Sequence, residues 1–446
     1  MIVAVMGSFL PPFMGGSINV ALPSIGEELS IDAVTLNWVA TSYLLAAAMF
    51  LVPFGRLADI YGRKRFFTAG MIVYAISSFL CALSFSTISL IIFRVLQGIG
   101  SAMVFGTGIA IVTSVFPVGE RGKALGINVA SVYIGLSLGP FLGGILTEQL
   151  SWRSIFLINV PLSMAALVPI FWKLKSEWAE AKGEKFDLTG SLVYSLALIA
   201  VMYGLSLLPE MAGVWLLVAG VLGAYAFIMI EMKVRSPVLN MALFKANPVF
   251  LFSNLAALCN YSATFAVSFL LSLYLQYIKG FSPLHAGIIL VSQPVVMAII
   301  SPLSGRLSDR IEPRLVASAG MALTTTGLAL LIFLNEDTGM AFILVSLIIL
   351  GLGFGLFSSP NTNAIMSSVE KKFYGVASGT VGTMRLIGQM LSMGIAILLF
   401  ALYLGRTQII PAYYPEFMES VRMAFIIFAV LCFGGVFASI ARGKMR

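Results

Sequence analysis

The sequence has few charged residues, cysteines and histidines. Only 10% of its 446 residues are charged and 59% are hydrophobic, whereas about a quarter of the residues of a soluble globular domain are charged. The three cysteines, Cys81, Cys259 and Cys432, lie far apart without a Cys-x-x-Cys pair, and His285 is the single histidine. These scarcities exclude a water-soluble globule, a disulfide framework and a Cys/His metal site. We expect no cofactor and no metal.

Long apolar stretches dominate the chain, and fourteen of them can cross about 30 Å of hydrocarbon as helices. They lie near residues 2–23, 38–54, 67–85, 87–116, 124–147, 154–172, 188–208, 213–231, 249–277, 284–304, 315–334, 340–359, 375–403 and 421–441. The segments between them are too short for a soluble domain. The sequence therefore predicts an all-α polytopic membrane protein. Because the first stretch has no basic start, we expect it to be a span rather than a cleaved signal peptide.

Lysine and arginine concentrate in alternate connecting segments. With the first span entering from the cytoplasm, 21 of the 27 basic residues lie on the cytoplasmic side. The outer side keeps Arg153, Lys279, Arg406 and Arg422, and the spans contain Arg94 and Arg385. Basic segments are retained in the cytoplasm, so both termini are predicted to be cytoplasmic, in the cytoplasmic (inner) membrane. The net charge of +8 indicates this orientation and not nucleic-acid binding.

An internal repeat divides the chain. GRLADIYGRKR begins at Gly55 and GRLSDRIEPRL begins at Gly305, 250 residues later, and each follows the second span of a group of six. Transporters are commonly built from such repeated halves. The sequence predicts an N-terminal six-helix bundle over 1–172, linkers with an accessory transmembrane hairpin over 173–248, and a C-terminal six-helix bundle over 249–446.

These repeated strings resemble those of the major facilitator superfamily, and specifically its fourteen-span drug:proton antiporter branch. The resemblance implies two six-helix bundles around a central cavity, with an inserted two-helix hairpin. It also implies that the repeated loops form a conformational gate, in which acidic and basic residues hold helix ends together. The gate residues would be Gly55, Arg56, Asp59, Gly62, Arg63, Lys64, Gly305, Arg306, Asp309 and Arg310. The alternative is a solvated basic loop.

A glycine-rich string in the fifth span resembles the signature of antiporters in this superfamily. It comprises Gly135, Gly139, Pro140, Gly143 and Gly144. Glycines three and four residues apart let a neighbouring backbone approach closely, and the proline is expected to bend the helix there. Small-residue packing that is common to membrane bundles is the alternative.

Two arginines lie within spans, in strings that resemble the same branch. Burying the charge of Arg94 or Arg385 costs several kcal/mol unless it faces a partner or a wet cavity. Both are therefore candidates for the substrate cavity. The alternative for each is an arginine that bonds to backbone carbonyls and locks helices together.

Acidic residues are missing from the span centres. The branch usually has a carboxylate in the first span, ahead of the string that here runs Asn19 to Pro23, but the matching position is Met14. Of the acidic residues, only Asp59, Glu148 and Glu231 are expected to touch the end of a span. Glu148 and Asp59 are the candidates for proton coupling, with a helix-end ion pair as the alternative for each. Coupling through the ionisation of the substrate, or transport without protons, stays open.

The predicted cavity is cationic and polar. A cavity with two arginines and no acid favours neutral or anionic amphipathic substrates, because cations need a carboxylate to offset their desolvation. Its candidate residues are Asn19, Arg94, Gln97, Asn128, Asn254, Asn260, Gln293, Asn361, Arg385 and Gln389. Polar side chains in spans also often bond only between helices.

We therefore expect a secondary transporter, not an enzyme, that exports small amphipathic, drug-like compounds by alternating access. Proton antiport is the favoured energy source, and protons, the substrate and the lipid bilayer are the expected partners of a monomer. A facilitator or symporter for an anionic metabolite is the alternative. An enzyme would need a nucleophile with a base, paired acids or a metal site within the spans, and the sequence offers none.

Overall fold

The computed structural model describes residues 2–115, 121–173, 176–234, 237–239, 241–308, 310–370 and 374–443. Helices account for the regular structure of these ranges. Asp309, one of the predicted gate residues, lies outside the described residues.

The first half of the chain forms six spans from seven helices. The helices are α1 (Ile2–Glu28), α2 (Ala33–Tyr61), α3 (Arg63–Ala82), α4 (Thr87–Val115), α5 (Arg121–Gln149), α6 (Ser154–Leu157) and α7 (Asn159–Lys173). The short α6 and α7 together make the sixth span. Within this bundle α1 packs along α5, and α4 packs against α2 and α3.

An apolar hairpin and a second bundle follow. The helices are α8 (Leu188–Leu207), α9 (Met211–Glu231), α10 (Met241–Ala246), α11 (Pro248–Leu273), α12 (Pro283–Leu290), α13 (Ser292–Ser308), α14 (Pro313–Leu331), α15 (Met340–Ser367), α16 (Tyr374–Tyr403) and α17 (Tyr414–Ala441). A π-helical turn, Tyr274–Ile278, extends α11. Since α12 and α13 form one span, the described chain has fourteen helical segments long and apolar enough to cross a membrane, which confirms the predicted number.

Side-chain caps fix where several of these helices begin. A side-chain oxygen that accepts a bond from the backbone N–H three residues later satisfies one of the unpaired donors of the first turn. Four such caps are Asp32 of α2, Asp187 of α8, Asn247 of α11 and Ser282 of α12.

The two halves meet along several helix pairs. α5 contacts α12 and α13, α2 contacts α16, and α1 contacts α11. The hairpin is attached beside this junction, because α8 packs against both α2 and α16. We call the end of the molecule that carries the α1–α2 connection the Glu28 end, and the opposite end, which carries the α2–α3 connection, the Gly62 end.

The first helix is longer than predicted. α1 continues to Glu28, so the expectation that only three acidic residues touch a span end was wrong. The carboxylate of Glu28 accepts bonds from Trp152 Nε1 and Arg153 Nη1, both at 2.6 Å. With Ile25 fully buried just before it, this charged anchor explains why the last turn stays helical.

Candidate functional site

Arg63 is the centre of an ion-pair network at the Gly62 end. Its side chain is only 8% exposed, and its Nε donates to Asp59 Oδ1 at 2.8 Å. Its two terminal nitrogens donate to the two carboxylate oxygens of Glu180 at 2.8 and 3.0 Å, and Nη1 also donates to Ser114 Oγ at 2.9 Å. One guanidinium thus links α2, α3, α4 and the segment that precedes the hairpin.

Gly62 sets the position of Arg63. It is the single residue between α2 and α3 and has φ +123°, a conformation that L side chains rarely adopt. A Cβ there would also overlap the carboxylate of Glu177. The sharp connection lets Arg63 open α3 one helical turn beyond Asp59, so that the two side chains meet.

The segment over 176–187 supplies further carboxylates to this gate. Glu177 Oε1 accepts from the backbone N of Lys64 at 2.8 Å, and its other oxygen lies 3.7 Å from Arg65 Nε. Glu184 Oε2 accepts from Arg56 Nη2 at 2.5 Å. Arg56, Arg63 and Arg65 therefore each have a carboxylate of this segment beside their side chains.

Two backbone bonds fasten the same segment. Arg63 N donates to Trp178 O and Ala181 N donates to Asp59 O, both at 2.9 Å. Sequence reasoning treated this segment as a linker and missed its carboxylates. The sequence signal that could have found them is the three- and four-residue spacing of Glu177, Glu180 and Glu184.

The second gate motif has a different environment. Arg306 and Arg310 are both exposed. Ser308 Oγ accepts from Asn363 Nδ2 at 3.1 Å, which links α13 to α15, and a Cβ at Gly305 would lie 2.8 Å from Ser359 Oγ. The described part of the second motif is therefore held by helix packing and polar contacts.

The glycine string of α5 makes close helix contacts. A Cβ would lie 2.6 Å from Phe9 O if added at Gly135, and 2.6 Å from Ser17 Cα if added at Gly143. Ser17 Oγ donates to Gly139 O at 2.9 Å. At Gly144 an added Cβ would instead lie 2.7 Å from Pro283 O of the other half. α5 itself runs through Pro140 without interruption.

Arg94 is buried between helices, with 1% of its surface exposed. Its Nε donates to Val39 O at 3.0 Å and its Nη1 to Gln97 Oε1 at 2.6 Å. The guanidinium lies 4.5 Å from the centroid of the Tyr43 ring. Gln97 in turn donates to Ser78 Oγ at 2.7 Å. This geometry matches the helix-locking alternative for Arg94, and contact with substrate stays a prediction.

Arg385 lies between the two halves. Its guanidinium is 5.8 Å from the ring centroid of Phe105 on α4 and 5.6 Å from that of Tyr261 on α11. It also interacts electrostatically with the hydroxyls of Tyr43 and Tyr133. Its side chain is partly exposed, so the charge remains accessible. We call Arg385, Phe105, Tyr261, Tyr133 and Phe354 the central cluster.

The aromatic rings of the central cluster bridge the bundles. The hydroxyl of Tyr133 of α5 lies 2.9 Å from Ser301 Oγ of α13, and Tyr133 packs with Phe354. Tyr261 and Phe354 make an edge-on contact at 5.5 Å. Cation–π attraction to aromatic faces stabilises a cation, which explains how Arg385 stays charged near the junction without a carboxylate among its described contacts.

The other predicted cavity residues divide into two groups. Asn128 accepts from Ser8 Oγ at 2.7 Å, Asn254 donates to Phe250 O at 2.8 Å, and Asn361 donates to Ser253 O at 3.1 Å. These three are therefore engaged between or within helices. Within the described chain no side-chain bond is observed for Asn19, Asn260, Gln293 and Gln389, and both amide atoms of Asn260 are buried without a partner.

The two acidic candidates for proton coupling sit at opposite ends. Glu148 is exposed at the Glu28 end, and its Oε2 accepts from Leu284 N at 3.0 Å. It thereby caps the first turn of α12 and joins the two bundles. Asp59 is already paired with Arg63. Both positions match the helix-end alternative, and a role in proton transfer remains a prediction for each.

Among the described residues, two groups of six spans meet at a polar, cationic centre, with a two-helix hairpin beside them. This architecture is typical of a polytopic membrane transporter. The sequence pattern of the Major Facilitator Superfamily matches residues 4–393 and 253–445. The chain belongs to this family, which consists of membrane transporters and not of enzymes.

Two relatives and one solved structure show how wide the similarity is. The chain is 30% identical over 443 residues to the riboflavin transporter RibZ of Clostridioides difficile, covering 99% of this chain and 96% of that one. It is 33% identical over 399 residues to the multidrug resistance protein Stp of Mycobacterium tuberculosis, covering 87% and 73% respectively. A bacterial homolog of the human lysosomal transporter Spinster has the same fold, with a TM-score of 0.68, 16% identity and coverage of 99% and 96%.

Proposed function

We propose that this chain exports small amphipathic compounds by alternating access, with neutral or anionic aromatic molecules as its preferred substrates and protons as the counter-ion. Substrate would bind at the central cluster, between the bundles. The alternative is a facilitator or symporter for an anionic metabolite.

The position of Arg385 is the observation that carries this proposal. A positive charge flanked by the rings of Phe105 and Tyr261 can stack a planar ring and attract an anionic or electron-rich group. A lipophilic cation would be repelled there by the charge of Arg385. The described contacts of the cluster also include no carboxylate that could offset the desolvation of a cation.

One relative supports an aromatic substrate, and another supports outward transport. RibZ is named for riboflavin, a planar aromatic compound, and Stp for multidrug resistance. The cephamycin export protein CmcT of Amycolatopsis lactamdurans is 32% identical over 412 residues. These names support a flavin-sized aromatic substrate and export as the direction.

The topology belongs to the same proposal. We place the Gly62 end and both termini in the cytoplasm of a cell with this protein in its cytoplasmic membrane, because 21 of 27 basic residues lie on that side. The units would be the bundles over 1–172 and 249–446 and the intervening 173–248, in a monomer.

Transport by purified protein in liposomes tests the proposal. Riboflavin, an anionic fluorescent amphiphile and a cationic one of similar size would be compared, each with and without an imposed pH gradient. We expect the neutral and anionic compounds to be transported and accelerated by the gradient. Arg385→Ala should reduce anion transport by about tenfold or more, the loss expected for a desolvated cation–π or charge contact.

Two controls make the outcome decisive. Arg406→Ala removes an exposed arginine from the segment after α16 and should leave transport unchanged. Arg385→Lys keeps the charge without the planar guanidinium. Its transport rate should lie between that of Arg406→Ala and that of Arg385→Ala. Preferred transport of the cation would overturn the substrate class, and transport indifferent to the gradient would overturn proton antiport in favour of the facilitator.

A further inference from the structure

Two carboxyl groups face each other at the Gly62 end of the hairpin. Asp187 precedes α8 and Glu231 is the last residue of α9. The side chain of Glu231 is deeply buried, with 3% of the residue exposed. A Cβ built at Gly190 would overlap both Asp187 Oδ2 and Glu231 Oε1. Both carboxylates therefore point at the same small space, which is open because residue 190 has no side chain.

Each carboxyl has one satisfied oxygen and one unsatisfied oxygen. Asp187 Oδ1 accepts from Gly190 N at 2.9 Å, and Glu231 Oε2 accepts from Leu239 N at 2.8 Å. Asp187 Oδ2 and Glu231 Oε1 are both buried and have no donor among the described residues. These are the two oxygens that converge at Gly190, and the two side chains interact directly there.

Two ionised carboxylates in this position would be doubly unfavourable. Like charges in a site of low polarity repel each other, and each would also leave a buried acceptor without a donor. One proton removes both costs, because it neutralises one group and supplies the missing hydrogen bond between Oε1 and Oδ2. We propose that Asp187 and Glu231 form a proton-binding site, which holds a single shared proton at neutral pH.

The helix dipoles indicate which group carries the proton. Asp187 lies at the N-terminus of α8, where partial positive charge favours an anion, and Glu231 lies at the C-terminus of α9, where partial negative charge disfavours one. The dipoles therefore favour the shared proton on Glu231, which donates it to Asp187.

Among the described residues, the other charged groups near the hairpin are paired or exposed. On α2, which packs against α8, Arg56 and Asp59 are paired with Glu184 and Arg63. On α16, Arg385 faces the rings of the central cluster. Nearby in sequence, Lys185 and Lys233 are exposed. Asp187 is the titratable group, within the described chain, that interacts with Glu231.

The shared proton ties three segments together: the start of α8, the end of α9 and residues 237–239. Its loss would place two anions side by side, and their repulsion would loosen the contact between the start of α8 and the end of α9. Because α8 packs against α2 and α16, protonation of this pair would set how firmly the hairpin is held beside the junction of the bundles. The site is independent of which compound the chain transports.

Infrared difference spectroscopy on the full-length protein in lipid nanodiscs tests for the proton directly. Wild type should show the carbonyl band of a protonated carboxylic acid at neutral pH, which disappears as the pH is raised. Glu231→Gln and Asp187→Asn should each remove that band, because in both an amide N–H₂ replaces the shared proton as donor. Glu210→Gln, at the exposed opposite end of the hairpin, should retain it. A band that persists unchanged in both variants would overturn the proposal.

Hydrogen exchange at Leu239 gives a second, structural readout. After correction for intrinsic exchange, we expect protection of this amide in wild type to change between neutral and alkaline pH, because ionisation of Glu231 alters the strength of the bond that it accepts. Glu231→Gln should keep it constant, because glutamine still accepts the bond and donates to Asp187 without titrating. The same pH dependence in wild type and Glu231→Gln would show that no shared proton exists.

Discussion

The two copies of the repeated gate motif differ in how their charges are held. In the first copy Arg63 is nearly enclosed and bonds to Asp59, Glu180 and Ser114. In the second copy Arg306 and Arg310 are exposed. Similar strings of residues thus produce an ion-paired, nearly buried arginine in one half and exposed arginines in the other.

The reason lies in two positions of the repeat and in the chain between the halves. The 250-residue offset places Glu312 opposite Gly62 and Pro313 opposite Arg63. The second copy therefore lacks the arginine that anchors the first. The carboxylates of Glu177 and Glu180 also bond to the first copy. A repeated motif consequently specifies a helix-turn-helix shape, and its neighbours decide whether it locks.

Removing the anchor should have the largest effect on this comparison. Arg63→Ala leaves Asp59 and Glu180 without their partner and opens a gap between α3 and α4. We expect the free energy of unfolding to fall by about 3 kcal/mol. This is the low end of the roughly 3–5 kcal/mol for breaking a fully buried pair, because the Glu180 side chain is 68% exposed. Denaturant titration in mixed micelles measures the loss.

Arg310→Ala is the matched control for Arg63→Ala. It removes an exposed arginine from the second copy, and a surface substitution of this kind usually changes stability by less than about 0.5 kcal/mol. Equal losses in the two variants would show that the second gate is locked as firmly as the first.

The backbone at Gly62 provides a smaller test of the same difference. Gly62→Ala adds a Cβ at φ +123° and forces it against the carboxylate of Glu177. We expect a loss of about 2 kcal/mol, within the range for a strained backbone conformation. Limited proteolysis in the segment over 176–187, compared with a thermal melt, would report whether that segment detaches.

Gly55→Ala gives the control in the same motif. Gly55 lies inside α2, and an added Cβ there meets nothing within 4 Å. Because alanine favours helix over glycine by about 1 kcal/mol, Gly55→Ala should be neutral or stabilising. Destabilisation at Gly55 as large as at Gly62 would contradict a conformational role specific to Gly62.

Sequence reasoning could predict the number of spans, the inserted hairpin and the pairing of Asp59 with Arg63. Hydrophobic length fixes the first two, and an i, i+4 spacing of opposite charges across a one-residue turn fixes the third. It could also place Arg385 in a span, since a charge there needs a special environment.

Contacts between segments far apart in the chain could not be predicted. Nothing local tells that Glu180 reaches Arg63, that Arg94 bonds to Val39 O, or that Glu231 meets Asp187. Each depends on how helices pack, which periodicity alone does not specify. The two ends of the hairpin, 44 residues apart in sequence, become neighbours only because α8 and α9 run antiparallel.

The ion pair between Arg56 and Glu184 of the first copy should show the smallest effect on stability. Glu184→Gln removes the ionic partner of Arg56, but Glu184 is 48% exposed, and an exposed ion pair contributes only about 0.5 kcal/mol. The loss should shrink further in high salt, since screening weakens surface pairs first. Glu180→Gln should cost more and depend less on salt. Glu180 is itself 68% exposed, but it makes a bidentate pair with Arg63, whose side chain is only 8% exposed. If both variants lost equal stability with equal salt dependence, the gate would be a uniformly solvated charge cluster, and burial of Arg63 would not distinguish the first copy from the second.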